Sequence, residues 1–315
     1  MTPTTPPPSS RFPLGPLRVA VALALNLLVT LWVVRQVPHW LPVQASTAAP
    51  HVDALFALET GIGTFLFLGC CGVILWTVLF HRAPKYDLEN GAPIEGNLRL
   101  EIVWTLVPLV LVMAIAWHAI QVNHTLATLG GKQRVRSGEQ ALQVAGAAVS
   151  EEPAAVGPIQ VIARQWSWEF VYPDGVRSAE LHLPVDRPAD FELISMDVLH
   201  GFFIPAFRLK QDLIPGSVIR YHLTPTRIGR YRLRDSMFSG GYFASNQTDV
   251  VVQSDADYQT WLQQAARMPL QPSWNAATEL HRRRLERGDR GWATVPPADP
   301  PLVNVGLDPA APHDA

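Results

Sequence analysis

Two Gly-containing stretches, residues 197–216 and 229–246, hold the side chains that invite a chemical reading: His200 in the first, and Asp235, Met237, Ser239, Phe243 and Asn246 in the second. An imidazole, a carboxylate and a thioether in one neighbourhood are donors that a metal ion could use. As a set they are poor. Phe243 has nothing to donate, and Ser239 would have to ionise far from its usual pKa. Three mixed donors beside a hydrophobic neighbour are more simply loop packing. Soft thiolate donors are missing altogether, because Cys70 and Cys71, the only cysteines, sit in a remote hydrophobic run. The reading is that the six positions hold no metal. Outside these stretches, Glu101 opens an apolar run, where an acid can collect protons from water or simply suit the positive end of a helix. Trp166 and Trp168 give an aromatic-rich strand, which is most economically core or interface material.

The elements that must position these residues divide into a membrane part and an exported part. Residues 54–80 and 102–120 are each apolar and long enough to cross a hydrocarbon core of ~30 Å as a helix, and they predict a hairpin. The stretch joining them, residues 81–99, carries Arg82, Lys85 and Arg99, whereas the loop ahead of the hairpin holds only Arg35. The positive-inside bias then puts the turn in the cytoplasm and everything after residue 123 on the opposite side. Residues 19–34 form a further apolar run behind Arg11 and Arg18, either a signal region or a membrane anchor. Val43, Gln44 and Ala45 resemble a small-residue cleavage motif, but they stand far from the run, which favours a retained helix.

Residues 132–157 are rich in Ala, Gly, Gln and Glu and read as a linker. Strands are expected at 159–172, 191–195, 217–223, 230–234 and 248–253, a spacing that argues a small β-sandwich or barrel. A helix is expected at 257–267, then a basic run at 281–287 read as a solvated helix face, then a Pro-rich end. The expected divisions are 1–50 (tail and first apolar helix), 51–125 (helical hairpin), 126–157 (linker), 158–254 (β-domain) and 255–315 (tail). With 25 basic and 27 acidic residues among 315, the charge is too balanced to suggest a nucleic-acid partner.

From about residue 50 to residue 254 the chain resembles subunit II of the haem–copper oxidases, the cytochrome c oxidase subunit 2 family, and is most similar to its cyanobacterial form. Residues 93–108 and 163–168, the Lys210–Gln211–Asp212 stretch and the two loops carry the likeness. In that family the second loop supplies Cys, Glu, Cys, His and Met at offsets 0, +2, +4, +8 and +11, which with an upstream His bind the dinuclear copper centre CuA. Here those offsets read Asp235, Met237, Ser239, Phe243 and Asn246, and His200 stands at the upstream position.

The resemblance implies a cupredoxin fold for the exported domain, with Lys210 and Asp212 docking it onto subunit I. It implies that Glu101 opens a proton path, and that Trp166 and Trp168 occupy positions where ordinary members receive electrons from cytochrome c. Loss of the ligands implies a complex without CuA that takes electrons from quinol, similar to the alternative respiratory terminal oxidase. Haems and CuB would then lie in subunit I, subunit III would be a further partner, and the membrane would be the bacterial plasma membrane or the thylakoid. A cytochrome c oxidase subunit, and a cupredoxin-like binding or assembly module outside any oxidase, are the alternatives.

Overall fold

The computed structural model describes residues 14–80, 96–129, 134–136, 155–288 and 294–308. Three helices come first: α1 (Leu14–Trp40), α2 (Ala49–Phe80) and α3 (Leu98–Leu129). All three are long and apolar enough to cross a membrane, and their apolar side chains face outward, as lipid-facing helices require. Asn97 caps α3 by accepting from the N–H groups of Arg99 and Leu100, which puts Glu101 in the first turn. Arg82 and Lys85 lie outside the described residues.

Helices α1 and α2 pack closely because one of them is nearly bare at the contact. A Cβ on Gly61 would lie 2.9 Å from Val34 Cγ2, and one on Gly69 would lie 3.6 Å from Asn26 Nδ2. Asn26 in turn donates to the Phe65 carbonyl at 3.0 Å, an interhelical hydrogen bond of the kind that holds membrane helices together.

The second unit is built from residues 42–52 and 120–315. Its strands are β1 (Arg134–Arg136), β2 (Val156–Arg164), β3 (Ser167–Val171), β4 (Arg177–Ser178), β5 (Leu181–Pro184), β6 (Ala189–Ser195), β7 (His200–Ile204), β8 (Leu209–Leu213), β9 (Val218–Leu223), β10 (Gly229–Asp235) and β11 (Gln247–Gln253). One sheet runs β1-β9-β6-β2-β3-β4 and the other β5-β11-β10-β7-β8. Alternating residues point between them: Ile159, Val161, Phe191, Leu193, Phe202, Ile204, Leu233, Val250 and Val252 are all essentially inaccessible. The domain is thus the β-sandwich that the short, evenly spaced strands suggest.

Two expectations need correction. The run at 159–172 is two strands, β2 and β3, paired antiparallel with Arg164 opposite Ser167, so Gln165 and Trp166 form the hairpin tip. No Gly or Pro marks that turn, and apolar alternation reads straight through it. Within the expected linker, residues 134–136 form β1 and pair with β9, while residues 137–154 lie outside the described residues. Beyond the β-domain, helices stand where they are expected, near 257–267 and over the basic run at 281–287. Helix α4 (Asp255–Ala265) is capped by Ser254, followed by β12 (Gln271–Pro272), helix α5 (Ala276–Arg287) and β13 (Leu302–Val303), with β12 and β13 paired antiparallel.

Replacing Val34 and Gly61 by cysteine, in a chain also carrying Cys70→Ser and Cys71→Ser, should give an intramolecular disulfide under mild oxidation. The contact at this pair falls within disulfide reach. Failure to cross-link in native membranes, read by peptide mass mapping, would refute the α1–α2 contact.

Candidate functional site

His200 opens β7 and Asp235 closes β10, strands that pair antiparallel. Their ends bring an imidazole and a carboxylate together in the interior, with His200 wholly buried and Asp235 at 7% exposure. His200 Nδ1 lies 2.7 Å from Asp235 Oδ2, and Nε2 lies 2.8 Å from Asp197 Oδ1. With a carboxylate on each ring nitrogen, the ring must donate from both and is the imidazolium. Burial opposes that charge, but the hydrogen bonds to Asp197 and Asp235 outweigh it and raise the His200 pKa to about 9. Both carboxyls are held below their ordinary range: burial works the other way, and the bonds from His200 and nearby backbone N–H groups prevail.

Asp235 does more than pair with His200. Its Oδ1 accepts from the backbone N–H of Gly201 at 2.8 Å and of Met237 at 3.1 Å. Its Oδ2 accepts from Ser239 Oγ at 3.0 Å and Asn246 Nδ2 at 3.0 Å. One carboxylate therefore gathers five donors drawn from β7 and from the loop of residues 236–246. Of the six positions singled out by sequence, His200, Asp235, Ser239 and Asn246 meet through their side chains, and Met237 joins through its backbone. Phe243 stays apart; its ring stands edge-on to Phe238 at 5.2 Å.

The two tryptophans hold the loop from behind. Trp166, at the β2–β3 tip and 1% exposed, donates from its indole N–H toward the Ser239 carbonyl and hydroxyl, at 3.2 and 3.1 Å. Trp168 is 3% exposed and donates to the Asn246 carbonyl at 3.1 Å. Gly240 lies so close to the Trp166 ring that a Cβ there would come within 2.7 Å of it, at a φ of +117° that favours glycine. Both indoles are thus buried and hydrogen-bonded to the loop. Lys210 and Asp212 lie elsewhere, on β8, which is the edge strand of its sheet. Sequence reasoning passed over Asp197 and Gln165. The spacing of Asp197, three residues ahead of His200, was the available signal; Gln165, whose amide donates to the Ser239 carbonyl, carried none.

Asp235→Ala should destabilise the domain by about 3–5 kcal/mol, because a buried imidazolium loses a partner and four further donors lose their acceptor; denaturant unfolding followed by tryptophan fluorescence measures this. The pH dependence has two limbs. The folded pKa of His200 lies above its ordinary value of 6.5, so its contribution is complete below about 6.5 and disappears as pH rises through about 9. The depressed carboxyls contribute above their ordinary range, ~4, and lose that contribution as pH falls. The stability difference between the unmodified chain and His200→Gln should therefore shrink steadily from pH 6.5 to 9.5; a flat difference would contradict the imidazolium.

Family models match both parts of the chain: the transmembrane domain of cytochrome c oxidase subunit II over residues 34–122, and its periplasmic domain over residues 176–254. The cytochrome c oxidase subunit 2 of Thermostichus vulcanus is 33% identical over 267 residues, covering 74% of this chain and 81% of that one. The quinol oxidase subunit 2 of Bacillus subtilis is 28% identical over 207 residues, covering 64% and 59%. The crystal structure of the periplasmic domain of subunit II of cytochrome oxidase from Bradyrhizobium japonicum aligns with a TM-score of 0.33 at 22% identity, covering 37% of this chain and 95% of that one. Membrane helices followed by a periplasmic β-domain, with both family models matched in order, make this chain a member of the cytochrome c oxidase subunit II family, a membrane subunit of a haem–copper terminal oxidase.

Proposed function

We propose that the chain serves a terminal oxidase that takes electrons from quinol and reduces dioxygen to water, and that it binds no CuA itself. The observation that carries this reading is the closed network around Asp235. A dinuclear copper centre needs soft donors converging on a point between them. At the equivalent positions the donors converge on one another instead: Asp235 accepts from His200, Ser239 and Asn246, and Phe243 offers a hydrocarbon ring. Among the described residues, no group of three or more His, Cys, Asp or Glu side chains is arranged to hold a metal ion.

Without a metal relay, the periplasmic domain has no group that accepts an electron from a soluble one-electron carrier. Quinol dissolved in the bilayer can instead reduce a haem within subunit I, which would hold the haems and CuB, with subunit III as a further partner. The chain's own tasks are then to brace subunit I and to admit protons. Exposed Lys210 and its neighbour Asp212, on the edge strand β8, suit the first task. Glu101, exposed in the first turn of α3, suits the second. Use of cytochrome c is the rival reading, and the name and 33% identity of the Thermostichus vulcanus relative favour it.

Oxygen uptake by the purified complex, supplied separately with a reduced quinol analogue and with reduced cytochrome c, decides between the two. Uptake with quinol alone, together with copper equal to the CuB complement only, is expected. Uptake with cytochrome c, or two additional coppers per complex, would sink the proposal. Glu101→Gln should slow oxygen uptake without altering donor preference.

A further inference from the structure

The periplasmic family model ends at residue 254, yet the chain continues through a folded extension that returns to the site. The extension grips the loop of residues 236–246 and the β2–β3 tip at four places. Asn275 caps α5 by accepting from the Thr278 N–H at 2.9 Å, and with its amide nitrogen donates to the Trp166 carbonyl, also at 2.9 Å. Tyr242 places its hydroxyl 3.0 Å from His281 Nδ1, and stands edge-on to both the His281 ring at 5.8 Å and the Trp166 ring at 5.1 Å. The Ala298 N–H donates to the Gln165 carbonyl at 2.6 Å. At Gly241 a Cβ would come within 2.4 Å of Thr294 Oγ1, so the returning strap lies directly on the loop.

The far end of the extension is fastened independently. Asn304 and Val305 donate their N–H groups to the Arg177 carbonyl, the Ala179 N–H donates to the Val305 carbonyl, and Val303 is wholly buried. The loop itself contains only one short 3-10 turn, Phe243–Ser245. An irregular loop of this kind needs external bonds to hold one conformation. Where a metal binds, its bonds supply folding energy of that sort.

We propose that residues 268–288 and 294–308 form an intramolecular clasp that takes over the cross-linking task a metal would perform, fixing the loop against Trp166 from outside while Asp235 fixes it from within. This rests on the metal-free reading of the site. The clasp also helps to shut Trp166 off from any soluble protein, since Asn275 bonds its carbonyl and the strap lies on Gln165 and Gly241 beside it.

Hydrogen–deuterium exchange on the purified oxidase complex tests the clasp. Two forms are compared with the unmodified complex: one whose subunit II ends at residue 267, and one carrying Asn275→Ala with His281→Ala. The expected result is exchange roughly tenfold or more faster at the Phe243, Ser245 and Asn246 amides in both forms, with β6 and β9 unchanged. Unchanged loop exchange in both forms would overturn the proposal. If truncation loosens the whole domain, the double substitution alone decides, by the same two outcomes. Copper analysis of the unmodified complex runs alongside: copper beyond the CuB complement removes the metal-free reading, whereas unchanged exchange in a complex lacking that copper removes only the clasp.

Discussion

The carboxylate of Asp235 is the point on which the periplasmic site depends. It ends a strand, lies inside the sandwich, and accepts from five donors on two chain segments. A carboxylate this far from water is costly unless its lone pairs are filled, and here they are filled from both sides. On the metal-free reading proposed above, the result inverts the electrostatics of a metal centre. Where a cation would draw in lone pairs, an anion draws in N–H and O–H groups, so donors replace acceptors around the same loop. His200 fits either arrangement because its ring can donate or accept, whereas Phe243 fits only one in which its position has nothing to contribute.

A second ionic knot anchors the opposite face of the same sheet. Arg230 bridges the buried carboxylates of Glu180 and Asp249, and His182 stacks on Trp261 of α4 at 3.9 Å, nearly parallel. Burial opposes charge on Glu180, but its bonds from His182 and Arg230 hold its pKa down. Desolvated pairs of this sort contribute little net energy but tolerate few alternative arrangements. They specify how the extension must start, because α4 leads directly into it.

Much of this was legible in the sequence. The apolar runs, the alternating strands and the five altered positions are one-dimensional patterns, and each maps onto a helix, a sheet face or a loop. What stayed hidden depends on contacts between distant residues. The turn at Gln165 and Trp166 carries no Gly or Pro, and its direction is fixed by a hydrogen bond to Ser239, more than seventy residues away. Residues 294–308 have the composition of a loose tail, and only the groups they meet, at Gln165, Arg177 and Ala179, make them structure. The outcome at Asp235 was half visible: the substitution could be read, but the five donors waiting for it could not.

The short segment between α1 and α2 has a consequence for biogenesis. Ala45 donates to the Ala206 carbonyl and accepts from the Thr226 N–H, and Ser46 donates from its hydroxyl to the Phe207 carbonyl and bridges Pro225. The sandwich therefore incorporates residues made before the second membrane crossing as well as those made after the third. It can close only if both stretches emerge on the same face of the bilayer. A chain threaded the wrong way would leave Ala206, Phe207 and Thr226 without these partners, so completion of the exported domain acts as a check on how the helices were inserted.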